Sequence, residues 1–225
     1  PNIEKVIPHW LYYYLKANKD ALIAWAGGTA QKNLLLRDLR AFQVQIAPIP
    51  IQRKIAAILS AYDDLIENNT RRIKILEEMA QLIYREWFVK FSFPGHEKVK
   101  MVNSELGPIP EGWEVIKLGE IIEFQKGKKV KNVIEEQCDG FIPYLLIDGL
   151  KNYQYVYTDD KKIPVAYETD CIMVMDGASS GYVSIGHYGA VGSTLAKIII
   201  KGNLNSYYLY QFLQFNYTLL PLMSN

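Results

Sequence analysis

Between Gln52 and about Phe91, the apolar-type positions Ile55, Leu59, Tyr62, Ile66, Asn69, Ile73, Leu76, Ala80, Ile83 and Trp87 alternate at spacings of four and three. That is an unbroken heptad seam, and it predicts one continuous helix with a second helix lying along it. No Pro or Gly interrupts the stretch. At about 1.5 Å per residue such a helix would be on the order of 60 Å long. Pro48 and Pro50 stop anything continuing into it from upstream, and Pro94–Gly95 closes it downstream. Asn69 and Ala80 narrow the seam, which favours a two-helix contact of fixed register over a thick bundle.

Beyond Gly95 the pattern changes to short runs of β-branched and aromatic residues between Gly-rich and charged turns. Trp113–Leu118, Ile121–Phe124, Phe141–Ile147, Ile172–Met175, Tyr182–Ile185, Ala190–Val191 and Leu195–Ile200 read as strands, followed by a helix over Ser206–Leu220. The fold class is α+β, with a mostly β domain carrying short helices and joined to a long coiled-coil helix. The N-terminal aromatic segment Trp10–Tyr12–Tyr13–Tyr14 reads as an amphipathic helix that is part core and part surface. It also repeats: Leu11–Tyr12, Leu15 and Asn18 return as Leu209–Tyr210, Leu213 and Asn216, each shifted by 198 positions. Residues 1–50 are then the tail of an earlier copy of the domain that begins near Gly107.

Charge changes this picture little. Lys+Arg total 25 against Asp+Glu 24, so no overall basic field announces a nucleic-acid partner, and any phosphate-binding surface must come from local clustering. With 49% hydrophobic residues the chain can bury real cores. Cys138 and Cys171 have neither metal-ligand spacing nor the density of a secreted disulfide scaffold, which points to a reducing compartment, the cytoplasm by default. No apolar run is long enough for a membrane span and Pro1–Asn2–Ile3–Glu4 lacks the layout of a signal peptide. A start at Pro and a stop at Met223–Ser224–Asn225 in mid-pattern suggest part of something larger.

Four stretches, in this order, carry a family resemblance: Gly28–Thr29–Ala30–Gln31–Lys32–Asn33–Leu34; Ile46–Ala47–Pro48–Ile49–Pro50–Ile51–Gln52–Arg53–Lys54–Ile55–Ala56; Ile66–Glu67–Asn68–Asn69 running on to Trp87–Phe88–Val89–Lys90–Phe91; and Gly107–Pro108–Ile109–Pro110–Glu111–Gly112–Trp113–Glu114–Val115 with Leu118–Gly119–Glu120. Together they resemble the DNA specificity subunits of type I restriction-modification enzymes, near the end of one recognition domain, into and out of a spacer helix, and into the next recognition domain. Ala47 stands where the family usually strings more prolines. A complete member would also need a second spacer, which this sequence does not carry. The resemblance implies a coiled-coil spacer that sets the distance between two half-sites and docking surfaces for methyltransferase (M) and endonuclease (R) subunits. On this reading residues 1–50 end a preceding target-recognition domain, 51–93 are the spacer helix, and 94–225 are the second recognition domain, C-terminally incomplete.

No catalytic or metal-binding constellation emerges from the residues, and no cofactor is expected. His9, His96 and His187 lack nearby ligands at metal spacing. Asp63 and Asp64 point about 100° apart on a helix and read as a solvated face. Gly177–Ala178–Ser179–Ser180–Gly181 lacks the ending of a phosphate loop. Double-stranded DNA asks only for cations near phosphates and for polar or aromatic groups at base edges. Three loops offer them. Lys126, Lys128, Lys129 and Lys131 place four cations within six residues around Gly127, which would let backbone come close to a ligand. Lys151, Asn152, Tyr153 and Gln154 form an expected hairpin tip, with Asn and Gln able to bridge adenine. Ser179, Ser180 and Tyr182 with His187 and Tyr188 form a small, polar, Gly-rich loop pair.

The expected function is non-catalytic: reading half of a bipartite DNA site while partner subunits methylate and cleave. A recognition module of a fused restriction-methylation enzyme, or a coiled-coil scaffold with a ligand- or protein-binding β domain, are the alternatives. The seam residues Ile55, Leu59, Tyr62, Ile66, Asn69, Ile73, Leu76, Ala80, Ile83 and Trp87 would hold an antiparallel homodimer in which residues 29–46 complete the partner's sheet.

Overall fold

The computed structural model describes residues 5–25 and 34–223. Most of the Gly28–Leu34 motif and part of the proposed exchanged tail lie outside the described residues. The chain divides into two compact units, Pro1–Glu77 and Glu78–Asn225, with the boundary inside the long helix.

In the first unit, α1 (Pro8–Ala17) opens with Pro in its first turn, where the missing N–H costs nothing, and α2 (Lys19–Trp25) follows; α3 (Leu36–Ala41) precedes α4 (Ile49–Tyr84). Helix α4 begins inside the expected proline run, with Pro50 in its first turn, and its α-helical part ends earlier than expected. Arg85–Val89 form a π-helical turn, and Phe91 then takes a positive φ of 57°. The unit is pinned by Gln52. Its side chain is fully buried, accepts from the Ile7 N–H at 2.8 Å and donates to the carbonyls of Lys5 and Ala47. One α-turn later Ala56 is also buried, and Asp63 accepts a hydrogen bond from the Tyr13 hydroxyl at 2.7 Å. Asp63 is therefore a docking partner of α1, which corrects the reading of a solvated face. The aromatic run of α1 behaves as expected, with Trp10 buried and Tyr12 exposed.

The second unit continues with β1 (Met101–Ser104) and β2 (Gly107–Pro110), an antiparallel hairpin with Ser104 opposite Gly107. Pro108 and Pro110 fit this hairpin because a two-stranded ribbon leaves N–H positions facing outward where Pro is harmless. Trp113–Leu118, expected as a strand, is not one: after the turn at Gly112 (φ 87°) the chain runs without ladder partners to α5 (Leu118–Ile121). Trp113 instead lies against the rings of Phe88, Phe91 and Phe93, with centroids 5.3–5.9 Å apart.

The β domain then follows as β3 (Ile122–Lys126), β4 (Ile142–Leu145), α6 (Ile147–Asn152), β5 (Val156–Thr158), β6 (Val165–Ala166), β7 (Ile172–Val174), β8 (Val183–Ser184), β9 (Gly189–Val191), β10 (Leu195–Ile200) and α7 (Ser206–Met223). One sheet has the order β3-β10-β7-β8 and is antiparallel throughout. The other runs β5-β4-β9-β6, with β4 and β9 parallel and Leu145 opposite Val191. Strand alternation explains the layers. Ile172, Val174 and Leu195 of the first sheet meet Leu145, Ala166 and Val191 of the second in one core. On the first sheet's other face, Ile122, Cys171, Val183 and Ile198 pack on Leu209 and Leu213 of α7. The side chains of Leu145, Ile172, Val191 and Leu195 have no solvent exposure. Burying each stabilises the fold by roughly 1.5–3 kcal/mol.

The two halves of the sequence repeat dock alike on α4, each within its own unit. Tyr13 of α1 bonds Asp63, while Gln211 of α7, 198 positions on, bonds Gln81. Asn18 and Asn216 each donate to the carbonyl four residues back, at 2.8 and 2.7 Å. Tyr208 of α7 further packs on Tyr84 and Phe88. Burial drives the Tyr84 hydroxyl's pKa well above the usual phenol value.

Candidate nucleic-acid interface

The three candidate loops all belong to the second unit, and the structure draws parts of each together. The segment after β4, expected as a hairpin tip, is the short helix α6, a correction that places Lys151 and Asn152 in its last turn and Tyr153 and Gln154 just past it. Leu150 on its inner face is buried in the core between the sheets, which is what turns the segment into a helix. Gly149 permits this packing: a Cβ there would press on the Tyr155 ring at 2.9 Å. All four candidates from Lys151 to Gln154 are exposed.

Lys151 Nζ donates to Ser179 Oγ at 2.9 Å and sits 5.0 Å from the centre of the Tyr182 ring. These contacts tie α6 to the turn between β7 and β8. That turn is tied internally by hydrogen bonds. Ser180 Oγ donates to the Met175 carbonyl, the Gly181 N–H reaches Val174, and the positive φ of Gly177 (93°) and Gly181 (87°) shapes both ends. Lys126 at the end of β3 joins the same turn through Asp176, at 3.2 Å. The pair is exposed and worth about 0–1 kcal/mol, so Lys126 remains exchangeable to a phosphate.

Lys128, Lys129 and Lys131 are exposed and project from a stretch held by its backbone. The Gly127 N–H donates to Leu195 O, the Lys128 N–H to Val191 O, and Tyr144 Oη to Lys128 O. Gly127 is buried, and a Cβ on it would collide with the carbonyls of Val191 and Gly192. Its close approach is thus to its own chain, a correction to its expected role beside a ligand. Gly189 and Gly192 make matching approaches to Pro143 O and Leu145 O.

His187 is the third correction in the loops. It was expected at the surface, but its side chain is 1% exposed. Its Nδ1 lies 2.9 Å from Tyr155 Oη and its Nε2 2.7 Å from Ser184 Oγ, so one nitrogen donates and the other accepts. Burial pushes its pKa below the usual value of 6.5, keeping the ring neutral. Tyr153 lies over the same ring, with centroids 5.4 Å apart and planes 30° apart. Tyr188 is exposed and turns to Tyr167, 5.9 Å away. Ser184 and Asp176 are the supporting residues that sequence reasoning missed. Asp176 lies far along the chain from Lys126, and Ser184, although only three positions from His187, belongs to no recognisable motif.

Among the described residues no group of three or more His, Cys, Asp or Glu could hold a metal, and no helix is long and apolar enough to cross a membrane. The arrangement offers exposed ammonium groups, amide side chains and aromatic rings on fixed loops.

Along α4 the seam residues Ile55, Leu59, Tyr62, Ile66, Ile73, Leu76, Ile83 and Trp87 are all exposed, as is Asn69, while Ala80 is half-buried. Of the positions that α4 buries within the chain, Ala56 and Tyr84 lie off that seam, whereas Gln52 continues its spacing one step upstream of Ile55.

Comparison with known proteins gives this geometry a family. The model of the type I restriction modification DNA specificity domain matches residues 1–78 and 110–223. The MjaIX specificity subunit of a type I restriction enzyme from Methanocaldococcus jannaschii is 29% identical over 178 residues, 70% of this chain and 41% of that protein. The MjaVIII specificity subunit of the same organism is 32% identical over 141 residues, 63% of this chain and 32% of the relative. The chain thus spans well under half the length of these relatives. The crystal structure of a type I restriction-modification S subunit from M. genitalium superposes over 99% of this chain and 57% of its own, with a TM-score of 0.55 at 20% identity, a likeness of fold. Long helix, β-rich domain and matched sequence agree, and the chain belongs to the type I restriction modification DNA specificity domain family.

Proposed function

We propose that the second unit reads half of a bipartite DNA site and that the chain itself does no chemistry, methylation and cleavage belonging to partner M and R subunits. The observation that carries this reading is the convergence of Lys126, Lys151, Ser179 and Tyr182 on one set of linked loops, with amide and aromatic side chains exposed beside them. Cations there would meet phosphates, and Asn152, Gln154 and the tyrosines would meet base edges. The named relatives, both specificity subunits, support it. Residues 1–50 are the end of a preceding recognition domain, which the parallel docking of α1 and α7 on α4 supports. The seam of α4 takes a second helix, supplied by another copy of this chain in a homodimer with exchanged N-terminal segments. Its row of exposed Ile and Leu supports that.

The test is the salt dependence of duplex binding. If Lys126, Lys128, Lys129 and Lys131 meet phosphates, replacing all four by Ala should flatten the log–log slope by about 0.9 for each phosphate no longer neutralised. Lys126, already paired with Asp176, should contribute least. An unchanged slope in the quadruple variant would remove this loop from the interface.

A further inference from the structure

Tyr153 sits where a helix normally ends in glycine. It is the first residue past α6, its N–H closes the helix on the Gly149 carbonyl at 3.1 Å, and its backbone is left-handed at φ 55°, ψ 28°. Glycine takes that conformation freely, whereas a side chain there is strained. The chain accepts the strain and places at that point a large aromatic ring that is 70% exposed.

The ring is not left to swing. Beneath it lies the buried imidazole of His187, itself fixed at both nitrogens by Tyr155 and Ser184. Beside it Lys151 is fastened to Ser179 and lies over Tyr182. An aromatic serving only the core would bury its ring. An aromatic at a mobile tip would have no polar pillar under it. Here the fold spends strain and a buried histidine to hold one ring face outward.

We propose that Tyr153 is a specificity-determining residue whose ring makes an apolar contact with a base of the DNA half-site, and that His187 is the positioning residue that holds the ring in place. This deepens the DNA-reading proposal and rests on it. A ring pre-ordered in this way loses little freedom on binding, so its contact contributes more to discrimination than the same ring on a loose loop would. Because the contact is apolar, the phenol oxygen is dispensable.

The experiment is selection of bound duplexes from a library with a randomised segment, using the full chain and its variants, alongside thermal unfolding of each. Wild type should enrich one motif. Tyr153→Phe should enrich the same motif with the same strength at every position. Tyr153→Gly should lose preference at one or two adjacent positions, cutting discrimination there about tenfold or more, while the rest of the motif and binding to random DNA stay as they were. Its melting temperature should not fall, since Gly relieves the left-handed strain. His187→Gln, which can still span both hydroxyls but presents no ring, should weaken preference at the same positions and no others. Full preference retained by Tyr153→Gly overturns the assignment while leaving the DNA-reading proposal intact. Loss spread evenly over the motif, or over random DNA, overturns it too. A wild-type chain that enriches no motif removes the DNA-reading proposal and this inference with it.

Discussion

A neutral histidine locked inside a loop cluster makes the fold answerable to pH. Burial holds the pKa of His187 below its usual 6.5, so on acidification the unfolded chain takes up a proton before the folded one does. Stability is therefore full above the unfolded value and is lost as pH falls through it. Urea unfolding at a series of pH values should show stability declining as pH falls below about 6.5, and His187→Gln should flatten that decline. Identical pH dependence in the two proteins would mean that His187 does not sense the change. The exposure of the lysines and of Asn152 and Gln154 was legible in the sequence, because short polar runs between strands have no other place to go. The burial of His187 was not, since it depends on Tyr155 lying 32 positions away and on a cavity that only the packed sheets create. Gly127 misled for a similar reason: the close approach it signals is real, but the neighbour is Val191 rather than a ligand.

Among the elements, the long helix was the most legible, because heptad spacing is a property of one continuous segment and needs no distant contact. Its termini were not, because the end at Tyr84–Val89 is set by rings arriving from elsewhere, Tyr208, Phe215 and Trp113. The failed strand at Trp113–Leu118 teaches the same thing: alternation supplied the pattern, but the aromatic cluster claimed Trp113. Since the seam is exposed within the chain, with Leu76 62% exposed, Leu76→Asp should leave urea stability of the dilute chain within about 0.5 kcal/mol. The same variant should weaken helix pairing, because a carboxylate would be buried against apolar side chains. Sedimentation compared with wild type decides between them, and unaltered association would show that another surface carries the contact.

For the whole molecule, the exposed seam and the repeated docking helix lead to an expected two-fold homodimer at micromolar concentration, in which deleting residues 1–46 lowers the melting temperature of the β domain as well as shortening the chain. A wild type that sediments as a monomer at high micromolar concentration, or a deletion that leaves that melting temperature unmoved, would end the exchange model. The β domain also carries a consequence of its own in the glycines at its centre. Where Gly127, Gly189 and Gly192 let main chain touch main chain, the junction is set largely by backbone, with the Tyr144 hydroxyl on the Lys128 carbonyl as its side-chain tie. The exposed side chains of Lys128, Lys129, Asn152 and Gln154 make none of the contacts that hold that junction. Those residues can be exchanged without repacking anything beneath, as drill bits change while the chuck stays the same, and a search for new DNA preferences should randomise those positions and leave the three glycines alone.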